Sequence, residues 1–400
     1  MFFYLLIAGY YFIKPVRDAV FLHRKGFDQL PRYQVIVAIG TLVLALLYNQ
    51  VVDRVSRRRL ILGVYGFFLV GTAAFAALLR SGAADPAAAF YIALSIFNLL
   101  LTCVFWSTTN DVFGVEEGRR WYGLIALAGP LGALTGSAGA GHLVKTTGSV
   151  NLLWISLPFF AGALALGLAL DAAGRRFPPS DAARVQAGPM FPDLRLLVNV
   201  PYVRGIFVLV SLGTLVTTLY YFDFNRLLAK AGLTEDAKAA WVARRMVMEN
   251  VLGIAVQLCV TPWLLRRHGP GPALLLMPVA MLAGALGLGG WETLPVATAV
   301  MVAGGGLGYT INQAAKELLY VPTDKTIKYQ AKSLVDVFGF RLGDATAALL
   351  VLTIQPILKA RFGDDFRPFL GLAAILSVAW LLWARKAGSA FEASQGARTP

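Results

Sequence analysis

Apolar residues in this chain come in runs long enough to cross a bilayer, and twelve such runs follow one another. Breaks at charged residues or at Gly and Pro leave spans near 2–22, 34–52, 60–79, 87–109, 121–143 and 151–170. Six more lie near 200–222, 241–264, 272–290, 294–316, 333–358 and 366–385. A helix rising ~1.5 Å per residue needs about 20 residues to cross ~30 Å of hydrocarbon, and each run meets that length. Apolar side chains make up 57% of the 400 residues and charged ones 14%. A soluble domain averages about 45–50% and about 25%, so no compact fold in water could hide this much apolar surface. The chain is therefore expected to be an all-α polytopic membrane protein of twelve transmembrane helices. Cys103 and Cys259 both lie inside apolar runs, which excludes a disulfide scaffold. Met1 opens directly into a run that contains Lys14, Arg17 and Asp18, with no small-residue cleavage site, so a removable leader is not expected.

The longest polar stretch, 171–199, is rich in Pro and Arg and sits near the middle. It reads as a linker between two six-helix halves, residues 1–170 and 200–386, with 387–400 as a tail. Lys and Arg are more numerous in the loops after even spans than after odd ones. That bias places both termini and the linker in the cytoplasm, as for an inner (cytoplasmic) membrane protein. The formal charge of +14 would suggest nucleic acid in a soluble chain. Here topology and an anionic cargo account for it, and no nucleic-acid partner is expected. Six plus six helices with a cytoplasmic linker is a layout that resembles major facilitator carriers. Residues 49–62, NQVVDRVSRRRLIL, resemble the cluster those carriers place between spans two and three. The resemblance implies gating by Asp53, Arg54, Arg57 and Arg58; the plainer account is a positive-inside stop signal.

Ions at membrane depth cost at least ~2.5–3.5 kcal/mol on insertion scales, so each is a candidate site. Lys14, Arg17 and Asp18 fall at i, i+3 and i+4 on one face of span one. Arg341 lies well inside span eleven, with Asp344 one turn later. Both groups are cationic or built around a cation, which suits a phosphate or carboxylate cargo. Asn312 and Gln313 near the end of span ten can add neutral hydrogen bonds, while Asp18, Asp111 and Asp344 are candidate counter-charges or coupling acids. Arg244, Arg245 and Glu249 near the start of span eight read better as interfacial pairs. The Gly-dense segment 129–142 of span five reads as a helix-packing face. GGGLG at 304–308 has neither a preceding strand nor a following Lys-Ser/Thr pair, so it is not a phosphate loop. His23, His142 and His268 lack metal-ligand spacing, and no nucleophile–base set is arranged for hydrolysis. Neither enzyme activity nor a cofactor is expected.

Residues 314–344, AAKELLYVPTDKTIKYQAKSLVDVFGFRLGD, resemble the span ten-to-eleven region of the nucleotide transporter (ATP/ADP translocase) family. The pattern is carried by Lys316-Glu317, Leu319-Tyr320-Val321-Pro322, Asp324, Lys325, Lys328, Ala331-Lys332, Asp336 and Gly343. Residues 13–22 and 105–129 are similar to that family's span-one and span-four segments. By position, the resemblance implies that Arg17 replaces a functional lysine and Asp111 a glutamate. Asp344 stands where the family has lysine, and Tyr221–Asn225 lacks clear equivalents of its acid and lysine.

These features lead to a secondary carrier of an anionic metabolite, a nucleotide or other phosphorylated compound, working by exchange or ion coupling as a monomer. Lys14, Arg17, Arg341, Asn312 and Gln313 are the expected cargo contacts in a hydrated chamber between the halves. Two rival readings follow from the same residues. Asp111 and Asp344 could serve a proton-coupled exporter of a cationic or zwitterionic solute, and a membrane sensor or scaffold would move nothing.

Overall fold

The computed structural model describes residues 1–52, 54–113, 115–176, 194–323, 331–332 and 334–396. Among these there are no strands and twelve long helices. In chain order they are α1 (Phe2–Arg24), α2 (Leu30–Val52), α3 (Arg57–Leu78), α4 (Ala84–Val112), α5 (Val115–Thr147) and α6 (Asn151–Arg176). A one-turn helix, Arg195–Asn199, leads into α7 (Pro201–Lys230). Next come α8 (Glu235–His268), α9 (Pro270–Gly290), α10 (Leu294–Leu319), α11 (Leu334–Arg361) and α12 (Arg367–Gly396). All but α1 are long and apolar enough to cross a membrane, and α1 has the length but holds three charges within five positions. This is the expected all-α polytopic fold.

Most helices run past the apolar spans read from sequence, because a helix need not stop where the hydrocarbon ends. That moves many cations out of presumed loops. Arg24, Arg226 and Lys238 are helical, and the last two are only 2% and 5% exposed.

The described residues group into two compact units, one from residues 1–26, 43–187 and 232–247, the other from 27–42, 188–231 and 248–400. In the first unit α1 is the central element, packed on α4, α5 and α6. Gly129, Gly132, Gly136 and Gly139 form one face of α5 and let it close on α1. A Cβ on Gly136 would stand 2.4 Å from the Ala8 carbonyl oxygen, and one on Gly132 2.6 Å from that of Tyr4. Small residues at such spacing bring backbones together where lipid gives no hydrophobic drive between helices. In the second unit α7 is packed by α10, α11 and α12, and α9 lies along α12. Gly343 is the matching close approach, since a Cβ there would sit 2.6 Å from the Ser211 carbonyl oxygen.

Among the described residues, three π-helical segments interrupt the second half: Val256–Val260 in α8, Gly308–Asn312 in α10 and Leu334–Gly339 in α11. Such bulges re-aim side chains and cluster at functional sites. Two of them carry residues singled out above, Asn312 and Asp336.

The α1–α5 contact yields a direct expectation. Gly136→Val overpacks it and should lower stability by about 1–3 kcal/mol or more. Gly71→Ala, with nothing within 4 Å of its Cβ, should change little. Thermal melting of the purified variants in detergent checks this, and equal midpoints would contradict it.

Candidate functional site

In the first unit the charges of α1 point inward. Arg17 is 8% and Asp18 3% exposed. Arg17 Nε donates to Asp18 Oδ1 at 2.7 Å, and its Nη2 lies 2.6 Å from the same oxygen. Nη1 donates to Ser95 Oγ on α4 at 3.0 Å, and the guanidinium lies 5.1 Å from the centre of the Tyr91 ring. Ser95 is itself held, donating to the Tyr91 carbonyl at 2.6 Å. Sequence spacing suggested Lys14 as a partner for Asp18 as readily as Arg17. The structure gives the carboxylate to Arg17. Lys14 is half-buried and lies 4.9 Å from the ring of Tyr11 and 5.9 Å from that of Tyr10. Two cations against one carboxylate leave this face formally positive.

The second unit has a cluster of similar make-up on α11. Arg341 Nη1 donates to Asp344 Oδ2 at 3.0 Å, and Thr218 Oγ1 on α7 donates to Oδ1 at 2.7 Å. Both carboxylate oxygens are engaged, which is how an ion survives at this depth. The close α7–α11 approach at Gly343 brings Thr218 within reach. On α10, Lys316 is 2% exposed, donates to Asp336 Oδ1 at 2.6 Å and lies 5.1 Å from the Phe340 ring centre. Gln313 Nε2 donates to Glu317 Oε1 at 3.1 Å, and Lys332 donates to Glu317 Oε2 at 2.8 Å. Thus Lys316 and Glu317 of the family-like segment pair with Asp336 and Lys332 of the same segment. Asn312 differs, for its buried Oδ1 accepts no hydrogen bond from any described residue. A buried unsatisfied acceptor costs about 1–3 kcal/mol, so it is a candidate to receive a cargo donor. Asp324, Lys325 and Lys328 lie outside the described residues.

Of the four residues expected to gate, three are among the described ones. Asp53 is outside the described residues, and Arg54 and Arg58 are exposed. Arg57 Nε donates to Asp111 Oδ2 at 3.1 Å, and its Nη1 lies 3.8 Å from Asp171 Oδ1. Asp111, a candidate counter-charge or coupling acid, is exposed and pairs with this arginine. Arg57 therefore ties α3 to α4 and α6.

Sequence reasoning missed a buried cluster at the end of α7. Arg226 donates to Asp223 Oδ1 at 2.8 Å, to Glu292, and to the Asp364 carbonyl at 3.1 Å. The signal is Asp and Arg at i and i+3, but the apolar span near 200–222 stops short of both. Beside it, Lys230 Nζ lies 2.5 Å from Asp364 Oδ2 in the α11–α12 loop. Partial burial pushes the Asp364 carboxyl up, yet Lys230, Lys359 and Arg226 outweigh it and hold the group below the usual carboxylate range. This ion pair is complete at neutral pH and fades as pH falls through that lowered value. In the first unit, Arg24 makes a two-pronged pair with Glu235 at 2.8 and 3.1 Å.

Comparison with known proteins agrees with this architecture. The sequence model of the Major Facilitator Superfamily matches residues 33–324, and that of the TLC ATP/ADP transporter matches 290–391. The chain is 23% identical to ADP,ATP carrier protein 1 of Chlamydia muridarum, over 82% of this chain and 69% of that one. It is 24% identical to the chloroplastic ADP,ATP carrier protein 1 of Arabidopsis thaliana, over 74% of this chain and 53% of that one. Among solved structures, an auto-inhibited peptide transporter of the POT family superposes with a TM-score of 0.68 at 13% identity, covering 96% of each chain.

Removing one member of a buried pair strands the other. Arg17→Ala should therefore cost about 3–5 kcal/mol, and the double change Arg17→Met with Asp18→Asn should recover most of it. A double-mutant cycle on melting midpoints measures this, and additive losses would contradict the pairing.

Proposed function

We propose a cargo for this chain on one premise: it belongs to the Major Facilitator Superfamily and is a multi-pass membrane transporter. The cargo is an anionic metabolite bearing phosphate, a nucleotide foremost, carried by alternating access of the two six-helix halves as a monomer. The membrane is the inner (cytoplasmic) one, with both termini cytoplasmic. The observation that carries this reading is Arg17, a guanidinium 8% exposed whose carboxylate partner comes from its own helix. A buried cation bound to an internal acid can exchange that acid for a cargo phosphate without ever standing unpaired, and the released acid is then neutralised by a proton or by a neighbouring cation. Arg341 with Asp344 offers the same exchange on α11. Guanidinium meets phosphate through two parallel hydrogen bonds, so these arginines suit phosphate better than a monovalent halide. The resemblance to ADP,ATP carriers supports a nucleotide as cargo.

Asp344, standing where that family has lysine, gives this reading its own consequence. With Asp344 in place the empty carrier is neutralised from within, so it can return without cargo. Movement by exchange alone is not required.

Ligand-dependent melting of the purified protein tests the cargo class. A ligand at 100 times its Kd should add about 2.7 kcal/mol of stability. Nucleoside di- and triphosphates should raise the midpoint and the matching nucleosides should not. Asp344→Asn should lower the half-saturating nucleotide concentration about tenfold, since one unit of repulsion is lost beside Arg341. A midpoint unmoved by every phosphorylated compound would overturn the reading.

A further inference from the structure

Beyond the α1 and α11 clusters, the first unit contains an open pocket of about 230 Å³ where α5 meets α8. His142 and Lys145 line it from α5, and Arg244 lines it from α8. Gly141 and Ala240 also line it, and the two helices are in contact there: a Cβ on Gly141 would be 3.4 Å from that of Ala243. Ser137 also lines the pocket, but its hydroxyl donates to the Ala133 carbonyl at 2.6 Å and can only accept. All three polar groups that remain can donate, and no carboxylate is among the lining residues.

Two other facts set this place apart. The acids at the start of α8 are already engaged, Glu235 by Arg24 and Ser149, and Asp236 by the Ser149 backbone N–H at 2.6 Å. Neither Lys145 nor Arg244 forms an ion pair with any described residue, whereas neighbouring Arg245 is buried and has partners of its own. These cations also lie toward the loops that follow odd spans, the side on which positive charge does nothing to fix topology. Positive-inside anchoring therefore does not explain them.

We propose that Lys145, Arg244 and His142 form a second anion site that takes one phosphoryl group, either as the free ion or as a phospholipid headgroup. Size argues for a single group. Pockets that enclose whole small molecules run to about 300–1,000 Å³, and this one is smaller and open. Arg244 can grip two phosphate oxygens in parallel, Lys145 adds a point charge, and His142 adds an imidazole N–H. The site shares no residue with the Arg17 or Arg341 clusters, so the proposed cargo can fail while this site stands, and the reverse.

The test is melting of the full chain in a non-ionic detergent, titrated with inorganic phosphate against chloride at matched ionic strength. Monomeric short-chain phosphatidylglycerol is titrated against phosphatidylcholine in parallel. Wild type should respond to phosphatidylglycerol. In Lys145→Gln with Arg244→Gln the half-saturating concentration should rise about tenfold or more, as two charge-assisted contacts are lost. Arg17→Gln combined with Asp18→Asn, which leaves no charge stranded, should keep this response, and Arg244→Lys should keep part of it, which guards against a variant that merely misfolds. An equal response to inorganic phosphate identifies a free-ion site, and a response to the lipid alone identifies a headgroup site. No response to either probe in wild type, or an undiminished response in the double variant, overturns the proposal.

Discussion

A cation buried among helices in lipid is costly without a carboxylate, and most of this structure's polar detail follows from that cost. Arg17 has Asp18, Lys316 has Asp336, Arg226 has Asp223 and Glu292, and Arg341 has Asp344. In three of the four the partner carboxylate lies within three positions on the same helix, so the pairing needs little from the rest of the fold. Hydroxyls from a neighbouring helix complete two of them, Ser95 for Arg17 and Thr218 for Asp344. Each pair is thereby a link between helices as well as a neutralised charge.

The glycine faces make those links possible. Without Gly136 and Gly132 on α5, α1 could not approach closely, and its charged stretch could not be packed as it is. Gly343 does the same for α11 against α7, where Thr218 meets Asp344. The π-helical turns act on register. Asn312 closes one in α10 with its carbonyl oxygen buried and unsatisfied, and the Lys316 partner Asp336 lies in another. Helix packing and site chemistry here come from the same few residues.

The helices were easy to read because twenty apolar residues in a row have no other stable use, and the charges of span one stood out against them. Helix ends were less legible, since hydropathy marks where hydrocarbon stops and not where a helix does. Arg226 thus lies beyond the apolar span near 200–222 and is nevertheless buried at the end of α7. Partner choice was less legible still. Asp18 could serve Lys14 or Arg17 by spacing, and nothing in the spacing names a partner for Asp111. Contacts across helices, with α4 for Arg17 and α3 for Asp111, fix the partners that spacing leaves open. The π-helical turns leave no pattern in apolar spacing and could not have been anticipated.

The central claim is that Arg17 trades its own carboxylate for a cargo phosphate. Counterflow in proteoliposomes loaded with unlabelled ATP and supplied with labelled ADP tests it most directly. The account predicts saturable uptake in wild type and near-complete loss in Arg17→Gln combined with Asp18→Asn, a pair change that removes both charges and leaves none stranded. Undiminished nucleotide uptake by that folded variant would contradict it.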